Sequence, residues 1–189
     1  MILASNSPRR RELLNMLGFD FDVKAADCDE STNGLPAGQA VAVLSKRKAL
    51  AVAADCPDEV VIGSDTLVTI DGSPLGKPKD AGDARRMLAL LSGRTHTVCT
   101  AVTIAARGAA ETFTVTSEVE FYPLDKEDIE SYVATGEPLD KAGAYGIQGR
   151  GAALIKRISG DYYAVMGLPI AELARRLKKY GIYPQKAVV

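Results

Sequence analysis

The chain has 189 residues, enough for one domain with a substantial buried core. A net charge of -1 supplies no general pull toward nucleic acid or an anionic membrane, so any polyanion site must be local. No apolar run reaches the length of a bilayer span.

Ile2 to Ala4 reads as a short buried strand. Ser5, Asn6 and Ser7 follow, and Pro8 suits the first position of a helix with Ser7 as its N-cap. Arg9, Arg10 and Arg11 then crowd the first turn. That is the wrong charge for the positive end of a helix dipole, and a bound anion such as phosphate would resolve the conflict. Phe19 to Val23 alternates like a half-buried strand, and Asp27 to Pro36 reads as a loop. Ala37 to Ala54 predicts a helix whose stripe runs Ala37, Val41, Leu44, Lys48 and Ala51. A lysine in that stripe must snorkel or meet a partner.

Glu59 to Ile62 predicts a buried β-branched strand, with Gly63-Ser64-Asp65-Thr66 at its end. Leu67 to Ile70 continues extended, and Asp71-Gly72 is a hairpin turn signal. Asp80 caps a helix with Asp83 three residues on, Ala84, Met87, Leu88 and Leu91 as its buried face and Gly93 as its stop. Thr95 to Phe121 is β-rich, with a turn at Arg107-Gly108. Asp125 caps a helix that buries Ile129, Tyr132 and Val133 and ends at Gly136. Glu137 to Gly149 is a glycine-rich loop suited to close approach of a ligand. Leu154 to Ile158 and Tyr162 to Met166 predict a hairpin across Ser159-Gly160-Asp161. A last helix near Pro169 carries Leu173 and Leu177, with Arg175, Arg176, Lys178 and Lys179 favourable to its dipole. Helices mixed with strands and long hairpins predict an α/β or α+β class with a mixed sheet, as a single domain over 1–189.

Cys28, Cys56 and Cys99 form neither a disulfide framework nor a zinc spacing. No secretory signal pattern is visible, and a reducing cytoplasm is the expected compartment. His96 is the only histidine, which disfavours a Ser-His-Asp triad or a His-ligated metal. Asp65, at the end of its predicted strand, is a candidate site residue or a turn-capping aspartate. Asp29, Glu30, Glu137 and Asp140 lie in loops and, with Asp65, could hold Mg²⁺ or Mn²⁺ through oxygen. Lys48, Lys77 and Arg9 to Arg11 supply positive charge for phosphates. Gly72 to Pro78 only imitates a P-loop, because the glycine spacing is short and proline stands where Ser or Thr would bind magnesium.

Leu3-Ala-Ser-Asn-Ser-Pro-Arg-Arg-Arg-Glu-Leu-Leu14, Gly63-Ser-Asp-Thr66, Gly76-Lys-Pro-Lys-Asp80, Leu91-Ser-Gly-Arg-Thr-His96 and Asp140-Lys-Ala-Gly-Ala-Tyr-Gly-Ile-Gln-Gly149 together resemble the Maf family of nucleoside triphosphate pyrophosphatases. The resemblance implies an inosine triphosphate pyrophosphatase-like fold, with an elongated mixed sheet, flanking helices and two lobes around a cleft. Ser-Pro-Arg-Arg, Asp-Thr and Tyr-Gly-Ile-Gln are similar to the dTTP/UTP branch. By that likeness Arg10, Thr66 and Gln148 select the substrate and Asp65 accepts a proton. Ser5, Arg9, Glu30, Lys48 and Lys77 handle phosphate and metal, with Glu30 and Asp65 on a divalent cation. The implied reaction releases nucleoside monophosphate and pyrophosphate after water attacks the α-phosphorus. Modified pyrimidine triphosphates fit the same chemistry. The likeness also leaves open a nucleotide-binding regulator of septum formation, and a homodimer, for which no exposed apolar stripe marks an interface.

Overall fold

The computed structural model describes residues 1–32 and 34–185; Asn33, in the expected loop, lies outside them. One mixed sheet organises the molecule. Its strands are β1 (Ile2–Leu3), β2 (Asp22–Val23), β3 (Val61–Ile70), β4 (Ser73–Leu75), β5 (Thr95–Ala106), β6 (Ala109–Phe121) and β7 (Ile155–Ser159). They pair in the order β2-β1-β3-β5-β6-β7, and β4 also pairs with β3. β1 runs parallel to both neighbours, and the other pairings are antiparallel. The Asp71-Gly72 hairpin forms as expected, with φ of 51° and 75°, because a two-residue turn needs positive φ at both positions.

The helices are α1 (Pro8–Met16), α2 (Ala37–Asp55), α3 (Ala81–Leu91), α4 (Lys126–Val133), α5 (Tyr162–Met166) and α6 (Ile170–Leu177). α2 covers one face of β3 and β5, and the other helices lie on the opposite face or at the sheet's ends. That opposite face holds two cores, which meet at Ile155, Ile158 and Val165. One joins Leu3, Leu13, Leu14 and Ile62 to Leu173 and Leu177. The other joins Val68, Met87, Leu88 and Leu91 to Phe121 and Tyr132. β3 and β5 pass through both, contributing Ile62 and Val102 to one, Val68 and Val98 to the other. These are the two lobes that the family likeness implies.

Several local expectations need correction. β3 is one continuous strand of 10 residues, so Asp65 sits in mid-strand rather than at a strand end. Backbone pairing with β5 through Asp65↔Ala101 and Thr66↔Thr100 carries the chain straight through the Gly-Ser-Asp-Thr segment. Tyr162–Met166 is a helix, not the second strand of a hairpin. The Asp161 carboxylate accepts from the N–H groups of Tyr163 and Ala164, and that cap overrides the β preference of Tyr-Tyr-Ala-Val. Only Asp22 and Val23 of the predicted Phe19–Val23 strand pair, and both are exposed. Ser7 holds the N-cap place of α1, but its hydroxyl caps nothing. The buried stripe of α2 is Val41, Ser45, Ala49 and Val52, one position round from the predicted one, which puts Lys48 on the rim.

The rotation of α2 has a cause. A Cβ on Gly63 would lie 2.3 Å from the Ser45 carbonyl oxygen and 2.6 Å from the Ala49 nitrogen. Glycine therefore lets helix and strand touch backbone to backbone, with Ser45 bonded to Thr103 at 3.0 Å beneath.

Candidate active site

The sheet leaves a gap at one edge of β3. β1 pairs with Val61 and Ile62, β4 pairs with Val68 to Ile70, and neither pairs with Gly63 to Leu67. A cleft of about 740 Å³ opens there. Side chains alternate across a strand, so Asp65 points to the α2 face and Thr66 to the other. Both reach the cleft because it spans the open edge. Ser5, Arg9, Arg10, Glu30, Lys48, Asp65, Thr66, Lys77 and Gln148 all line it. Residues spread over most of the sequence are thus brought into one place.

On the α2 face, Lys48 Nζ donates to Asp65 Oδ1 at 2.7 Å and lies 2.8 Å from Glu30 Oε1. Burial works against the Lys48 charge, but Asp65 and Glu30 outweigh it and raise its pKa. The hydrogen bond and the charge of Lys48 hold the Glu30 carboxyl below its ordinary range. On the opposite face, Arg10 donates from Nε to the Gly167 carbonyl at 2.9 Å, from Nη1 to Ser5 Oγ at 3.1 Å and from Nη2 to Thr66 Oγ1 at 3.3 Å. Burial, partly countered by Asp65, lowers its pKa to about 10, so it stays charged at neutral pH.

Arg9 sits at the rim, 3.4 Å from Asp140, which Lys141 also holds at 2.6 Å. Lys77 is exposed and Gln148 half-buried, and among the described residues neither side chain is hydrogen-bonded. Of the other loop carboxylates, Asp29 binds Ser31 and Arg47, and Glu137 accepts from the N–H groups of Arg150 and Gly151. Those two are structural.

Tyr145 and Lys141 lie in the glycine-rich loop expected to approach a ligand but are not singled out in it, and no local signal marks Gly167 or Thr100. Tyr145 lines the cleft, and its hydroxyl is 2.7 Å from Nε2 of the buried His96. Burial alone pushes the His96 pKa down to about 4, so the ring is neutral. Thr100 reaches the site only through its register with Thr66, which no local signal fixes.

Among the described residues, no three His, Cys, Asp or Glu side chains cluster as a metal cage. Mg²⁺ does not require one, since it is typically held by one or two carboxylates with substrate phosphates and waters. Glu30 and Asp65 meet at Lys48, and each has a second oxygen with no partner among the described residues. The donor set fits a hard divalent cation shared with a polyphosphate.

A mixed α/β sheet with a cleft of convergent cations and paired carboxylates suits a protein that handles a polyanion. The family model for Maf-like protein matches residues 1–180, and the chain belongs to that family. It is 52% identical over 183 residues to a Bacillus velezensis protein named dTTP/UTP pyrophosphatase, covering 96% of this chain and 97% of that one. Proteins of the same name from Bacillus pumilus, 50% identical over 97% of this chain and 98% of that one, and Bacillus cytotoxicus, 48% over 95% and 94%, are also similar. The solved Staphylococcus aureus Ham1 protein matches 64% of this chain and 70% of that one at 14% identity and a TM-score of 0.42, too low to carry an argument.

Proposed function

We propose that this protein is a nucleoside triphosphate pyrophosphatase that hydrolyses dTTP and UTP, with modified pyrimidine triphosphates as further substrates. The observation that carries the reading is Lys48 held between Glu30 and Asp65 at the wall of a cationic cleft. A site built only to hold an anion has no use for two carboxylates; a site that must take a proton from water does. The relatives named above supply the substrate.

The triphosphate lies along Arg9, Arg10, Lys48 and Lys77, whose charges offset the negative charge that grows on the leaving group. A divalent cation bound by Glu30, Asp65 and phosphate oxygens would withdraw charge from the phosphates and lower the pKa of water. Asp65 accepts the proton as the water oxygen bonds to the α-phosphorus. The bond from that phosphorus to the bridging oxygen breaks, and pyrophosphate and nucleoside monophosphate leave. Gln148 faces the base, where its amide offers both a donor and an acceptor.

A regulator of septum formation that only binds nucleotide finds no specific support in this cleft. We assign the protein to the cytoplasm, where its three free thiols stay reduced. Among the described residues no helix is long and apolar enough to cross a membrane. A homodimer belongs to the same reading, and light scattering at the mass of two chains tests it. The deciding experiment is pyrophosphate release from dTTP, UTP, CTP, ATP and GTP with Mg²⁺ or Mn²⁺. Turnover of dTTP and UTP is expected, and no release from either defeats the reading.

A further inference from the structure

Thr66 and Thr100 are register partners on β3 and β5, and their hydroxyl oxygens lie 3.0 Å apart. Thr100 is fully buried, and its Oγ1 is 2.7 Å from the Ala164 carbonyl oxygen. Two oxygens that close need a proton between them, and a carbonyl has none to give. The single hydroxyl proton of Thr100 therefore goes to Ala164, and Thr66 must donate to Thr100. Only lone pairs remain on the outer side of Thr66, where Arg10 Nη2 donates. The chain has one direction, from Arg10 through Thr66 and Thr100 to Ala164.

The other two acceptors of Arg10 are the Gly167 carbonyl and the Ser5 hydroxyl, so all three are neutral. Ser64 donates to the same Gly167 carbonyl at 3.0 Å and fixes it from the other side. Arg9, by contrast, meets a carboxylate. Arg10 is anchored in place with its charge uncancelled by any direct ion pair among the described residues.

We propose that Thr100 is a positioning residue for substrate binding: through Thr66 it sets the proton direction that holds the Arg10 guanidinium ready for a phosphate group of the nucleotide. The ligand class rests on the triphosphate reading above; the proton direction rests on the distances alone. Without the Thr100 oxygen, the Thr66 proton loses its acceptor and is free to turn toward Arg10. Two donors then oppose each other, and the guanidinium loses its seat.

Thr100→Val keeps the shape and removes the oxygen, while Thr100→Ser keeps the oxygen. Two measurements are needed, both with Mg²⁺: steady-state hydrolysis of UTP and calorimetric titration with inorganic pyrophosphate. Thr100→Val is expected to raise KM for UTP and Kd for pyrophosphate together by about tenfold and to lower kcat, and Thr100→Ser to restore all three. Thr66→Val cuts the next link and is expected to weaken pyrophosphate equally, which keeps the test open if Thr100→Val does not fold. Unchanged pyrophosphate affinity in the valine variant overturns the proposal, as does a wild-type protein that binds no pyrophosphate. A changed UTP-to-CTP ratio at constant pyrophosphate affinity also overturns it, because Arg10 would then serve the base. So does a loss of kcat that serine fails to restore, which would make Thr100 a scaffold residue. Pyrophosphate binding without release from UTP would defeat the reading of the reaction instead, and the titration would then decide the proposal by itself.

Discussion

Asp65 and Thr66 are adjacent in sequence and lie on opposite faces of one strand, and the two faces treat charge in opposite ways. On the α2 face, charge meets charge: Lys48 sits between Asp65 and Glu30. On the other face, charge meets dipoles: Arg10 is held by a carbonyl and two hydroxyls. The first arrangement holds the Glu30 carboxyl below its ordinary range, beside the carboxylate that takes the proton in the proposed reaction. The second keeps a cation available for a guest. A cleft that binds a polyanion and also deprotonates water needs both, and the open edge of β3 puts them within one cavity.

The largest test of this contrast is Asp65→Asn. It should leave the fold intact and cut turnover on the order of 10³-fold, the range expected for a lost general base. A purified variant with near-normal pyrophosphate release would remove Asp65 from the chemistry.

The next test concerns the uncharged face. His96 is neutral in the fold, with its pKa lowered to about 4 by burial, while an unfolded histidine titrates near 6.5. The unfolded chain therefore binds more protons between those values. The contribution is fully present above about pH 6.5 and is lost as pH falls toward 4, by up to about 3 kcal/mol. Urea midpoints at pH 7 and pH 4.5 should drop more for the wild type than for His96→Gln, and equal drops would show that His96 does not drive the loss.

Gly63→Ala acts on the charged face. Its methyl would press on Ser45 and Ala49, so α2 must shift, at about 1–3 kcal/mol of stability and with Lys48 drawn away from Asp65. An unchanged denaturation midpoint with full activity would show that the close contact does not set the position of Lys48. The smallest effect is expected from Gln148→Ala, where UTP-to-GTP preference should fall by about tenfold with little change in rate on the best substrate. An equal fall on every nucleotide would make Gln148 a scaffold residue.

The mixed α/β class was legible in the sequence, and so were many of the residues that meet in the cleft. Arginines at a helix start, a lysine in an apolar stripe and an Asp-Thr pair at the end of a buried run are each anomalies of local chemistry; Arg9, Arg10, Lys48, Asp65 and Thr66 line the cleft, while Arg11 turns away to the Asn6 carbonyl. What was not legible depends on pairing. Nothing near Asp65 says that the strand continues past it; that follows from β5 running alongside for nine paired residues from Val61 to Thr69. Thr100 looks like any threonine in a β-rich stretch until register places it against Thr66. Tyr162–Met166 has the composition of a strand, and a single capping carboxylate decides otherwise. The carboxylates of Glu137 and Asp29 look like ligands in sequence, yet their local hydrogen bonds show them tying loops.

β3 and β5 run unbroken through both cores, which has a mechanical consequence. Two lobes joined by a flexible linker can swing shut on a guest, but two lobes built on the same strands form a beam. Bending that beam at the cleft would strain the β3–β5 ladder from Gly63 to Leu67, where β5 is the only strand partner those residues have among the described residues. The segments that edge the gap, at Ala4 to Ser7, Gly76 to Lys77 and Lys141 to Gln148, belong to no strand of the sheet, while the beam carries Asp65 and Thr66 across it.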